Sequence, residues 1–146
     1  MKRLLAAAAL FLLPAIAHAE GWHHAAAPMG QYEGGYEGAD GAFVYYSCGL
    51  GKHVSIGAPG MHAAKGKAQL LVDGKPVYEG AIAYSSAQDA TSVAFDADAG
   101  AMEWKQEEVG KIIDAIAKGS EMVLVSPNGE RFTYPLKGSA QIRSCR

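Results

Sequence analysis

Residues 68–84 read AQLLVDGKPVYEGAIAY. Ala68 to Val72 and Pro76 to Tyr84 are apolar-rich runs on either side of Asp73-Gly74. That dipeptide tolerates the positive backbone angles of a two-residue turn, whose twist suits antiparallel strands, so the stretch predicts a β-hairpin. Working outward, the same grammar recurs. Met122 to Val125 and Arg131 to Leu136 flank Pro127-Asn128-Gly129-Glu130, a second hairpin signal, with Phe132, Tyr134 and Leu136 on its inward side. Thr91, Val93 and Phe95 alternate with Ser92, Ala94 and Asp96, the pattern of a half-buried strand. Phe43 to Cys48 is aromatic and β-branched; Gly49-Leu50-Gly51 then turns the chain into Lys52 to Gly57. Met102 to Trp104 and residues 140–145 read as short strands, the latter carrying Cys145.

One segment has a different period. Val109, Ile112, Ile113 and Ile116 form a single apolar stripe at helical spacing. Glu107 and Glu108 stand in its first turn, Lys118 in its last, and Gly119 just beyond, as the helix dipole and C-terminal capping favour. The fold class expected is mainly β with one α-helix (α+β). Its architecture is an antiparallel β-sandwich or a curled sheet with the helix covering one end. Residues 42–146 form the single domain.

The helix-to-strand run Ile112-Ile113-Asp114-Ala115-Ile116-Ala117-Lys118-Gly119-Ser120-Glu121-Met122-Val123-Leu124 is followed by Asn128-Gly129-Glu130 and by Tyr134-Pro135-Leu136-Lys137-Gly138-Ser139-Ala140. Over about residues 68–145 the chain resembles the invasion-associated locus B proteins and similar small exported bacterial proteins. The resemblance implies an exported, non-enzymatic β-sandwich with an envelope or host-interaction role. The early Gly-Asp-Trp and additional cysteines of that family are not present, and no functional residue carries over.

The amino terminus has the order of a secretory signal. Lys2 and Arg3 precede the apolar run Leu4 to Leu13, Pro14 breaks it, and Ala17-His18-Ala19 offers small residues for cleavage. The run is shorter than the roughly 20 residues that span a membrane. Residues 1–19 are therefore expected to be removed, with the product periplasmic or secreted. Their loss takes away two cations and no acid, and moves the formal net charge from -2 to -4. A modest acidic balance disfavours nucleic acid and anionic membranes as partners.

Residues 20–41, EGWHHAAAPMGQYEGGYEGADG, hold six glycines and four charges, Glu20, Glu33, Glu37 and Asp40, all acidic. With no periodic apolar face they are expected to form a flexible tail. Tyr32 and Tyr36, in a small repeat, are candidate partner-docking residues. The chain's two cysteines, Cys48 and Cys145, allow one intramolecular pairing, and export to an oxidising compartment favours it.

Catalytic signatures are weak. There is no Gly-x-Ser-x-Gly motif, and a set such as Ser85, His53 or His62, and Asp89 is one that any chain of this size allows. No enzyme and no cofactor are expected. His23, His24, Met61 and His62 are imidazole and thioether groups suited to copper or zinc, although His23 falls fourth, not third, in the expected mature chain. Asp96, Asp98 and Gly100 imitate part of a calcium loop, but Ala101 stands where its turn needs glycine. The leading expectation is an exported binding or structural protein that contacts another protein or an envelope component. The alternative is a periplasmic copper or zinc binder.

Overall fold

The computed structural model describes residues 21–61, 66–85 and 90–146; the expected signal segment and His62 lie outside the described residues. Nine strands are present among the described residues: β1 Gly21–Ala27, β2 Gln31–Glu37, β3 Phe43–Cys48, β4 Gly51–Ala58, β5 Lys67–Val72, β6 Lys75–Ser85, β7 Ala90–Asp98, β8 Glu121–Val125 and β9 Arg131–Pro135. A helix, α1, spans Glu103–Lys118, and a 3₁₀ helix spans Ser139–Cys145. All strand pairs are antiparallel, in the order β1-β2-β3-β4-β7-β6-β5-β8-β9.

The sheet curls because one strand serves two neighbourhoods. β6 pairs with β5 from Lys75 to Ala81, and with β7 from Ile82 to Ser85. The strands form one continuous curled sheet. Its inner surface carries Val44, Tyr46, Val54, Ile56, Val93 and Phe95 from one half and Leu70, Met122, Leu124 and Tyr134 from the other, all buried. The Tyr134 hydroxyl donates to the Gly57 carbonyl at 3.0 Å, tying β9 to β4 through the interior. The stripe Val109, Ile112, Ile113 and Ile116 closes the core from α1.

Both hairpin turns form where Asp73-Gly74 and Asn128-Gly129 stand. Asp73 and Gly74 have φ of 48° and 76°, and the Asp73 carboxylate accepts the backbone N–H groups of Ser120 and Glu121 at 2.9 and 3.1 Å. One turn thus also fastens the start of β8.

Three expectations are corrected. Residues 21–37 are two paired strands, not a tail. Met102 to Trp104 is not a strand: α1 begins at Glu103, which moves Glu107 and Glu108 out of the first turn. Polar residues from Glu103 to Glu108 break any two-residue alternation, and Glu107 pairs with Lys111 one turn on at 2.7 Å. Residues 139–145 are a 3₁₀ helix, entered through Gly138 at φ 102°. Ser139, Ile142 and Cys145 are its buried residues, three apart, which is the period of that helix.

The predicted disulfide joins Cys48 to Cys145, with Cα atoms 5.1 Å apart and a sequence separation of 97. The same C-terminal segment is held by the Ser139 hydroxyl, which donates to the Ile116 carbonyl at 2.8 Å. Arg146 and Arg143 reach the Asp114 carboxylate at 3.3 and 3.9 Å. No helix among the described residues is long and apolar enough to cross a membrane.

Candidate functional site

The site is built on β1, β2 and β3. Successive side chains of a strand point to opposite faces. Val44, Tyr46 and Cys48 are buried on the inner face, so Phe43, Tyr45 and Ser47 stand on the outer one. The register carries this across the neighbours. Tyr46 is opposite Gly34, which is opposite His24; Tyr45 is opposite Gly35, which is opposite His23. The middle of β2 therefore presents no side chain to either face.

Each glycine is required for a different reason. On the inner face the Tyr46 ring lies across Gly34, and its hydroxyl meets His24 Nδ1 at 2.7 Å. A Cβ on Gly34 would sit 2.6 Å from that hydroxyl and collide with the His23 carbonyl. On the outer face a Cβ on Gly35 would collide with the Val44 carbonyl. Burial pushes the Tyr46 hydroxyl up to about 12, which keeps it protonated as a hydrogen-bonding group.

Beside this bare stretch the outer face holds a cavity of about 490 Å³, lined by His23, Glu37, Phe43, Tyr45 and the loop that joins β2 to β3. That size falls within the range of sites that take small molecules or a few peptide side chains. The loop is a compact rim. Gly38 N–H donates to the Ala42 carbonyl at 2.8 Å, and the Asp40 carboxylate accepts the Ala42 N–H at 3.0 Å.

The charge of the site has one sign. Glu33 and Glu37 share the outer face with Gly35 and are exposed. None of the ion pairs among the described residues involves either of them. Residues 21–41 contain no Lys or Arg. A groove with aromatic walls, the Glu37 carboxylate at its border and Glu33 on the same face is equipped to bind a ligand carrying positive charge and some apolar surface.

The candidate residues from the sequence separate. Tyr36 is 9% exposed and turns its ring inward, edge-on to Tyr134 at 6.2 Å, so the ring belongs to the core, while the residue also contributes to the cavity lining. Tyr32 is 40% exposed and stacks on His24 at 5.3 Å. His23 and His24, adjacent on one strand, point to opposite faces, and Met61 is buried in the core. These three therefore do not converge, and among the described residues no group of three or more His, Cys, Asp or Glu is placed to hold a metal ion. Phe43, Glu37 and the Gly34-Gly35 pair were not singled out from sequence. Their signal is the alternation Tyr32, Gly34, Tyr36 against Glu33, Gly35, Glu37, which glycine richness obscures.

No protein-family model matches the chain, and neither a curated protein nor a solved structure matches it significantly.

Proposed function

We propose that the protein is an exported binding domain whose outer β1–β3 face holds a segment of another protein or an envelope component. The observation that carries the reading is the groove: about 490 Å³ beside Gly35, walled by His23, Phe43 and Tyr45 and bordered by Glu37. Gly35, which packing against the Val44 carbonyl requires, also leaves the outer face of β2 bare beside the groove. Export is supported by the basic, apolar and small-residue order of residues 2–19. A disulfide that spans most of the domain suits an oxidising compartment. The protein acts by contact, not by turnover, and the groove's aromatic walls supply most of its affinity.

The test immobilises the disulfide-bonded protein and a Tyr45→Ala variant and passes envelope extract over both. Tyr45 is partly exposed, so the substitution leaves the core intact. Capture of a discrete component by the parent protein, lost in the variant, is the expected result. Equal capture by both contradicts the reading.

A further inference from the structure

β1 ends the strand order, so it has a sheet neighbour on one side only. Trp22 ties the start of the strand to Pro135 in β9, and beyond that contact His23 to Ala27 form an open edge among the described residues. Edge strands are ordinarily guarded by charge, proline, bulges or shortness, because their unpaired backbone groups accept another strand. β1 is seven residues long, GWHHAAA, with no Lys, Arg, Asp, Glu or Pro, and it pairs with β2 in unbroken register. Such an edge is a template for strand addition, in which backbone hydrogen bonds give affinity and alternate side chains give selectivity.

The register shows what the added strand meets. Glu33 lies opposite Ala25, and Glu37 lies opposite Gly21. The β1 position that stands between the open edge and Glu33 is therefore an alanine, whose side chain is too short to block the way. Neighbouring strands lie about 4.8 Å apart, so an added strand runs about 10 Å from β2. A Lys or Arg reaching inward and Glu33 reaching outward close that gap over Ala25. A second copy of this chain on the same edge would instead bring two uniformly acidic β2 rows toward each other. Its charge pattern favours a basic partner over self-pairing.

We infer that β1 takes up an extended basic segment of a partner protein by strand addition along His23–Ala27, a Lys or Arg side chain passing over Ala25 to Glu33. The inference rests on the outer face being the binding face, and it names the occupant of that face.

The probes are three capped octapeptides that alternate Val with Lys, Glu or Ser, titrated into the isotope-labelled, disulfide-bonded protein. The Lys peptide binds, and the backbone amides of β1 gain protection from exchange. The Glu peptide does not bind, and the Ser peptide binds more weakly. Glu33→Gln weakens the Lys peptide roughly twofold, the effect expected of one exposed ion pair. Ala25→Lys, at an exposed position, guards the edge and abolishes binding. Equal binding of Lys and Glu peptides, binding without protection at β1, or no binding of the Lys peptide overturns the inference. If the Lys peptide fails while Tyr45→Ala still abolishes capture of an envelope component, strand addition is wrong and the groove reading stands. If both fail, both are wrong.

Discussion

The indole Nε1–H of Trp22 donates to the carbonyl oxygen of Pro135 at 2.7 Å, across 113 residues of sequence. Trp22 belongs to the first strand of the sheet and Pro135 to the last. The bond brings the two ends of a curled sheet together, and Gly138 lies against the Trp22 side chain beside it. It is a direct reason why residues 21–27 belong to the fold. Trp22→Phe keeps a ring and removes the donor. It should cost about 1 kcal/mol in urea unfolding, the worth of one such bond. It should also speed amide exchange in β1 more than in β4, and equal effects on both strands would argue against an end-to-end tie.

The paired glycines of β2 make a sharper test. Gly34→Ala and Gly35→Ala each force a methyl into backbone or ring atoms that cannot retreat without moving a strand. Each should cost about 1 to 3 kcal/mol, as overpacking does. Gly60→Ala and Gly100→Ala are the controls: nothing lies within 4 Å of a Cβ there, and neither has a positive φ. Those two should stay within about 0.5 kcal/mol of the parent. Equal effects at all four would mean that β2 has no close neighbours.

The bridge between Cys48 and Cys145 closes a loop that runs from the end of β3 to the C-terminal segment. In the chain-entropy account a loop of this size is worth about 4.7 kcal/mol. Reduction should lower the urea midpoint by a corresponding amount. The intact mass of native protein should be two hydrogens below that of the reduced chain. Reactive thiols on native material would contradict the pairing.

Alkaline pH reports on the interior. Burial pushes Tyr46 up to about 12, and burial, followed by the carboxylate of Asp40, pushes Tyr134 up further. In the unfolded chain both ionise near 10. Between those values the unfolded state has released protons that the folded state keeps. Stability is therefore fully present below about pH 10 and falls as pH rises, by about 1.4 kcal/mol per pH unit for each tyrosine. Tyr134→Phe removes one of the two slopes. It also removes the hydrogen bond to the Gly57 carbonyl, at a cost of about 1 kcal/mol near neutral pH. A variant with the same alkaline slope as the parent would contradict this account.

What was legible in the sequence followed from local chemistry. Asp73-Gly74 and Asn128-Gly129 mark hairpins because the turn needs positive φ, and both turns form there. The α1 stripe and the disulfide were legible for similar reasons, one from a single periodicity and the other from a count of two. The N-terminal strands were hidden because glycine has two uses. In Gly34-Gly35 it permits close approach in a strand, while composition alone credits it with flexibility. Once residues 21–37 are read as tail, Tyr36 becomes a docking residue instead of core, and the acidic charge becomes diffuse instead of lying along one sheet edge. The 3₁₀ helix was missed because its evidence is the three-residue spacing of Ser139, Ile142 and Cys145, too short a run to separate from a strand. Sheet curling depended on β6 changing partners at Ile82, a long-range choice with no local mark.

The groove and the acidic edge exist only if β1 and β2 are strands of the sheet. Residue-resolved hydrogen exchange on the protein beginning at Glu20 measures this directly. β2 lies between β1 and β3, so its amides should exchange far more slowly than those of an unfolded peptide, with the His23–Ala27 edge less protected than β2. Exchange of Gln31–Glu37 at the unfolded-chain rate, with β3 and β4 still protected, would show a tail where the account places the binding face.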